Sequence, residues 1–347
     1  MSRVFVFGQY FFILAPLLST DEVMRAIIPV AGIGSRLRPH TYTVPKVLLN
    51  VGGKPIIGHI MDRILENGFD EATIVIGYLG EKIKDYILRN YPMRVDFVEQ
   101  EERLGLGHAI YLSRHTISRD PILIILGDTV FDVDLKSLVA QNESVIGVKE
   151  VDDPRRFGVA ELTNGYISKL VEKPEEPKSK LAVVGIYYIR QPQMLVESLK
   201  EIVKRNVRTK GEFQLTDALQ LMIERGEKMK PFTINGWYDC GKPETLLETN
   251  RHLLASVATP EPRKDVVVIP PVFISPKATV KNSVIGPFAT VAEEATVENS
   301  IIRNTIVSEG AEVSDALLED SIVGSNARVR GSYKRINIGD SSELEFY

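Results

Sequence analysis

The sequence predicts an α/β protein with a mainly parallel, Rossmann-like sheet, followed by a C-terminal parallel β-helix. Three observations carry this reading. From residue 25 onward, short apolar runs alternate with helically spaced ones; a glycine-rich turn follows the first apolar run; and a seven-residue pattern recurs near the C-terminus. Alternating βα units pair their strands in parallel and cover both faces of the sheet with helices.

The elements follow in chain order. Ala26–Val30, Thr73–Ile76, Val95–Val98, Ile122–Leu126 and Ser144–Val148 are short apolar runs and read as strands. Between them, Pro55–Asn67, Glu81–Asn90 and Gly107–Ile117 carry apolar residues at helical spacing. In such a sheet a ligand is expected at the carboxyl ends of the strands.

Past Leu254 the polar, proline-bearing stretch ASVATPEPRKD reads as a linker. Then ISPKATV (Ile274–Val280) recurs as IGPFATV, VAEEATV, VSEGAEV and VGSNARV, each an aliphatic residue, an alanine four positions on and a valine two further. Ala295, Ala311 and Ala327 stand 16 residues apart. Coils that bury their faces only on one another need such a repeat, which favours a parallel β-helix over a sandwich of short strands. The expected division is 1–24 an N-terminal extension, 25–255 a catalytic domain, 256–268 a linker and 269–338 the β-helix.

The composition is 25% charged and 44% hydrophobic over 347 residues, enough to bury a large core. A net charge of −4 argues against nucleic acid as a partner, because backbone binding demands a clustered Lys/Arg excess. The single cysteine, Cys240, excludes an intrachain disulfide framework and a cysteine-based zinc site, and suits the reducing cytoplasm. The apolar stretch Val4–Leu18 is short and broken by Gly8, Gln9 and Pro16, so no stable membrane insertion is expected. It also lacks the flanks of a signal peptide. Met24 immediately precedes the first strand, so the residues before it read as an upstream extension from a mis-assigned start.

The turn AGIGSRLRPHTYTVPKVLLN, residues 31–50, admits several phosphate-binding readings. A P-loop is excluded, because its nearest candidate, Gly52–Pro55, lacks the hydroxyl and continues with proline. A dinucleotide fingerprint fails at Leu37, where its third glycine should stand. The remaining functional reading uses Gly32 and Gly34 for close backbone approach to an anion, with Arg36 as a planar fork and Lys46 as a point charge. A basic surface turn is the plain alternative.

These residues resemble the signature of the sugar-1-phosphate nucleotidylyltransferases, G-x-G-[TS]-R-[LM]-x-P-x-T followed by P-K and K-P. The chain supplies Gly32, Gly34, Ser35, Arg36, Leu37, Pro39, Thr41, Pro45, Lys46, Lys54 and Pro55. The resemblance covers about residues 25–255 and implies a core of the GT-A type with a left-handed β-helix tail. It further implies that Gln100 in VEQEERLGLGHAI contacts the base and that Gly105 and Leu106 form the loop beside it. Asp128 in LGDTVF and Asp239 in GWYDCGKPETLLETN are implied as metal ligands. Gly158, Glu172, Val183 and Gly185 are implied at the sugar, and Lys173 at the sugar phosphate. GEFQLTDALQ fits the family's motif at the start of a helix. Ala31 stands where many members have a glycine.

The implied reaction joins a nucleoside triphosphate to a sugar-1-phosphate, with pyrophosphate leaving in line. All reacting groups are anionic, so neutralisation and alignment are the main tasks, and Mg2+ on one or two carboxylates suits them. The nucleophile is already an anion, so none of the five histidines needs a catalytic role. Glucose-1-phosphate and dTTP or UTP are the expected substrates; the two bases differ by one methyl, and no residue decides between them. A nucleotide-sugar-dependent glycosyltransferase using Asp132-Val133-Asp134, and a non-catalytic regulatory protein of the same architecture, are the competing readings. Nothing after His252 is histidine, which argues against an acetyltransferase tail and for an architectural one that mediates homo-oligomerisation.

Overall fold

Ile27 in the first strand is buried in one apolar cluster, while its neighbours Ala26 and Ile28 are buried in another. Side chains alternate across a strand, so an uninterrupted apolar run serves a sheet covered on both faces. The computed structural model describes residues 24–331 except 259 and 262; the extension before Met24 and the expected β-helix end at 332–338 lie outside the described residues.

Strand β1 (Arg25–Pro29) leads through short 3-10 turns to the hairpin β2 (Asn50–Val51) and β3 (Lys54–Pro55). Then α1 (Ile56–Glu66), β4 (Glu71–Ile76), α2 (Gly80–Asn90), β5 (Arg94–Glu99), α3 (Leu106–Leu112) and β6 (Ile122–Ile125) complete the alternation read from the sequence. The expected helix to Ile117 ends at Leu112 and continues as a 3-10 turn over Ser113–Thr116. These strands form the parallel order β5-β4-β1-β6.

Beyond β6 the alternation stops. There follow β7 (Thr129–Asp132), α4 (Leu135–Val139), β8 (Ser144–Glu150), β9 (Gly158–Thr163), β10 (Tyr166–Glu172) and β11 (Leu181–Ile189). Next come α5 (Pro192–Lys204), α6 (Leu215–Glu224), β12 (Met229–Thr233), β13 (Gly236–Asp239) and α7 (Pro243–Leu254). Strand β11 lies antiparallel to β6, β8 and β9, and β9 pairs antiparallel with β10. The short Asn164–Gly165 connection, with no helix, enforces the antiparallel pairing of β9 and β10, while β12 pairs in parallel with β8. The apolar stripes of α1 and α2 cover one face of the sheet; α3, α5 and α6 cover the other. Each fully buried isoleucine or leucine stabilises the core by about 1.5–3 kcal/mol.

The tail begins inside the stretch expected as linker, because β14 (Val266–Val268) already pairs in parallel with Ser283–Ile285. With β15 (Val272–Ile274) and β16 (Thr279–Lys281) it starts three parallel sheets of four strands each, the stacked coils of a parallel β-helix, consistent with the left-handed form. The alanines and valines of the repeat, among them Ala278, Val280, Ala295, Val297, Ala311 and Val313, fill its interior. At one corner Asn282, Asn299 and Asp315 have φ of 44°, 50° and 54°. Asn282 Nδ2 donates to Asn299 Oδ1 at 2.9 Å, and Asn299 Nδ2 to Asp315 Oδ1 at 3.1 Å. Asparagine and aspartate tolerate the left-handed conformation that such a turn needs, and here they also bond from coil to coil.

The tail packs on the α/β half. Asn250 on α7 accepts from the Gly52 N–H at 2.9 Å and from Thr290 Oγ1 at 2.7 Å, and donates to the Phe288 carbonyl at 3.1 Å. Ile306 joins Leu37, Leu49, Val51, Cys240 and Leu246 in one buried cluster.

Candidate active site

The turn after β1 is held from below. Leu37 is fully buried, and its N–H donates to the Gly34 carbonyl at 2.9 Å, which also accepts from Thr41 Oγ1 at 2.8 Å. Gly34 sits at φ 61°, and a Cβ there would stand 2.9 Å from Lys46 Cβ. Only glycine therefore lets the turn close over the lysine stem. Gly32, Ser35 and Arg36 remain exposed, and a Cβ at Gly32 would meet nothing within 4 Å.

Lys46 is 7% exposed, and its Nζ donates to Asp128 Oδ2 at 2.8 Å. Asp128 follows β6, and β7 after it pairs antiparallel with β13, with Thr129 opposite Asp239. The Cys240 N–H donates to the Asp128 carbonyl at 3.1 Å, so the two aspartates sit on adjacent backbones. Burial works to raise the Asp128 pKa, but the Lys46 charge and hydrogen bond, with the Thr129 hydroxyl, outweigh it and hold the carboxyl below its ordinary 3.8. Arg36 reaches the same place: a Cβ on Gly241 would stand 2.9 Å from both Asp239 carboxylate oxygens and 3.1 Å from Arg36 Nη2.

A cleft of about 700 Å³ is lined by Gly32, Gly34, Ser35, Arg36, Lys46 and Asp128 at one end; Asp239, on the strand beside Asp128, is not among its lining residues. Gln100, Gly105, Leu106, Arg103 and Glu212 line the other. Gln100 follows β5, where its N–H donates to the Ile76 carbonyl at 2.8 Å, and Gly105 and Leu106 open α3. The cleft lies at the carboxyl ends of β1, β5 and β6, where a parallel sheet leaves its backbone groups and loops for ligands.

The remaining expected residues form a second group. Gly158 on β9 pairs with Glu172 on β10, and Lys173 Nζ lies 3.3 Å from Glu172 Oε1. A Cβ on Gly158 would stand 3.3 Å from Glu172 Oε2 and from Thr216 Oγ1, and 3.6 Å from Val183 Cβ. Gly185 joins the two groups, because its carbonyl accepts from the N–H of Leu126, a residue that lines the cleft. Lys173 therefore pairs within this second group.

The sequence reading passed over Thr216 and Asp217. Thr216 Oγ1 donates to Glu172 Oε2 at 2.7 Å. Burial raises the Asp217 carboxyl above its ordinary value, Thr209 opposes it, and the Glu172 charge adds to the rise; Asp217 Oδ2 is buried without a hydrogen-bond partner among the described residues. Both residues stand in GEFQLTDALQ, so a polar Thr-Asp pair opening an apolar helix was the available signal. The Asp132-Val133-Asp134 arrangement is occupied otherwise. Asp134 caps α4, accepting from the Ser137 N–H at 3.1 Å.

Among the described residues no cluster of three or more His, Cys, Asp or Glu side chains could hold a metal alone. Asp128 and Asp239 supply a pair, and the Asp239 carboxylate makes no hydrogen bond or ion pair among the described residues. Two hard carboxylates with room for phosphate oxygens and water suit Mg2+, which rarely has an all-protein cage.

The chain is similar to known proteins in sequence and in fold. Residues 25–256 match the family described as nucleotidyl transferase. The chain is 39% identical over 238 residues to the bifunctional protein GlmU of Methanocaldococcus jannaschii, covering 68% of this chain and 56% of that relative. The chain thus spans little more than half the length of that relative. It is 30% identical over 324 residues to a glucose-1-phosphate thymidylyltransferase of Streptomyces griseus, covering 84% of this chain and 89% of that one. A solved UDP-glucose pyrophosphorylase complexed with UDP-glucose superposes with a TM-score of 0.59 at 28% identity, covering 68% of this chain and 100% of that structure.

Proposed function

This chain belongs to the nucleotidyl transferase family, and from that premise we propose that it transfers a nucleotidyl group from dTTP or UTP to glucose-1-phosphate, releasing pyrophosphate. One observation carries the reading: Lys46 paired with Asp128, beside Asp239 and Arg36, at one end of a cleft whose other end holds Gln100. The likeness to the thymidylyltransferase over most of both chains supports the choice of substrates.

In this mechanism Arg36 and the Gly32–Gly34 backbone receive the triphosphate, and Lys46 brings positive charge to its α-phosphate side. Glu172, Gly158, Val183 and Gly185 hold the sugar, and Lys173 holds its phosphate. A phosphate oxygen of the sugar phosphate forms the new bond to the α-phosphorus as the bond to pyrophosphate breaks. No proton moves, so the site needs alignment and charge neutralisation rather than a base. Asp128 and Asp239 would hold Mg2+, which supplies further neutralisation of phosphate charge.

We also propose the division into a catalytic unit over 25–255 and an architectural tail that joins copies of the chain. Supporting this, Val267, Val284, Ile301 and Leu317 stand in register on one outer face of the tail, with Val267 59% and Leu317 72% exposed. Among the described residues no helix is long and apolar enough to cross a membrane. A cytoplasmic location suits enzymes that consume nucleoside triphosphates.

The test is a pyrophosphate-release screen with Mg2+. Nucleoside triphosphates, dTTP included, are combined with glucose-, mannose- and N-acetylglucosamine-1-phosphate. Release that requires both a triphosphate and a sugar phosphate is expected, fastest with dTTP or UTP and glucose-1-phosphate. No release from any pair would overturn the reading, and release of free nucleoside diphosphate from a nucleotide sugar would favour the glycosyltransferase instead.

A further inference from the structure

Gln100 is 5% exposed, and its carboxamide nitrogen lies 3.2 Å from the Gly105 carbonyl. A carbonyl only accepts, so this contact fixes which end of the amide is the NH2 group. The same nitrogen lies 3.2 Å from His108 Nδ1. With one of its N–H groups on Gly105 and the other directed at the imidazole, the amide needs Nδ1 to be an acceptor. The ring proton then belongs on Nε2. The chain of bonds runs from His108 through Gln100 to the Gly105 carbonyl. Gln100 Oε1 makes no hydrogen bond among the described residues, and Gln100 lines the cleft.

Resting on the reading that this cleft takes a nucleoside triphosphate, we infer that His108 is a positioning residue for base selection. It holds the Gln100 carboxamide so that only its oxygen faces the base. A lone acceptor at that point favours a base with a ring N–H, as in uracil, thymine or guanine. Cytosine and adenine present a ring nitrogen acceptor at the corresponding edge, and two acceptors facing each other repel.

The surroundings keep the imidazole neutral at ordinary pH. Burial lowers its pKa below 6.5, against the Glu102 backbone bond and Glu102 charge that raise it, while the Arg208 charge lowers it further. The rings of Tyr111 and Phe213 pack at 6.5 and 6.2 Å. Once protonated, His108 offers only donors, and the Gln100 amide must turn to give it the oxygen. The cleft would then face the base with N–H in place of the acceptor.

Equilibrium binding of UTP, dTTP, GTP, CTP and ATP to the full chain tests this, with the wild type compared with His108→Leu and His108→Gln. The leucine variant should lose about tenfold of the preference for UTP over CTP, as expected for one buried hydrogen-bonded contact. His108→Gln, whose amide oxygen restores an acceptor, should recover it. In the wild type the preference should hold at neutral and higher pH and fall only as pH drops below about 6.5, and that dependence should vanish in the glutamine variant. Parallel turnover should raise KM for UTP with little change in kcat. A leucine variant that folds and keeps full selectivity, or a wild type that binds CTP or ATP as well as UTP, would overturn the inference. Selective binding without pyrophosphate release would sink the proposed reaction and leave the inference standing. Release of pyrophosphate with every base alike would do the reverse.

Discussion

The N–H of Cys240 donates to the carbonyl of Asp128 across 3.1 Å, although the two residues stand 112 positions apart (240 − 128). That bond extends the β7–β13 pairing by one step and brings Asp239 beside the carboxylate that Lys46 already holds. The relation between the two aspartates is therefore set by backbone, and the charges around them can be changed one at a time.

Replacing Asp128 by asparagine keeps the volume and removes the charge. Pyrophosphate release should fall by at least about 10²-fold, as for the loss of one charge-stabilising group in a preorganised site. Lys46 would remain buried beside a neutral amide, at a cost of about 1–2 kcal/mol once the partial exposure of Asp128 is allowed for. Because the Asp128 pKa is depressed on folding, that stabilisation is present above its ordinary 3.8 and lost as pH falls through the lower folded value. Denaturant midpoints of the two proteins should differ at neutral pH and converge in acid.

Gly241→Ala should separate activity from stability. The added methyl would press on the Asp239 oxygens and Arg36 Nη2. Arg36 is exposed and can swing away. The expected outcome is a Tm near that of the wild type with a raised Mg2+ requirement, read from metal titrations of pyrophosphate release.

Gly158→Ala addresses the second group. Its methyl would fall between Glu172 Oε2 and Thr216 Oγ1, at 3.3 Å from each. KM for the sugar phosphate should rise about tenfold or more, while KM for the triphosphate stays unchanged, since a misplaced polar contact costs on the order of 1 kcal/mol or more. Equal effects on both KM values would detach this group from the sugar.

Asn250→Ala removes three hydrogen bonds between α7, the β2–β3 hairpin and the tail. A loss of about 2 kcal/mol is expected, at 0.5–1.5 kcal/mol per bond with partial compensation by water. Calorimetry should resolve one unfolding transition into two, and kcat should hold.

The βα half of the sheet was legible because buried parallel strands are apolar runs and their covering helices are amphipathic, as Ala26–Val30 and Pro55–Asn67 illustrate. The mixed half was harder: β9 ends in the exposed Leu162 and Thr163, β10 carries the exposed Ser168 and Lys169 at its middle, and their pattern resembles loop. Lys46 and Asp128 could be named from their motifs, but their ion pair depends on the crossing of strands and no local pattern encodes it. His108 was set aside because the reaction needs no base. Its place beside Gln100 follows from the turn at Gly105, where φ is 107°, and that angle leaves no mark in the sequence beyond a glycine. Val266–Val268 was read as linker because its three valines belong to a coil whose corner motif had not yet begun.

Each coil of the tail pairs only with the coil above and the coil below, and its corners are closed by a ladder of Asn282, Asn299 and Asp315. Such a stack works as a ruler. Inserting or deleting one whole turn between Val297 and Val313 would shift everything beyond it by about 4.8 Å and carry Ile306 out of register with Leu37, Leu49 and Val51. The rise per coil thus sets both the spacing of the outer apolar column and the seat of the tail beneath the turn that carries Gly34 and Arg36.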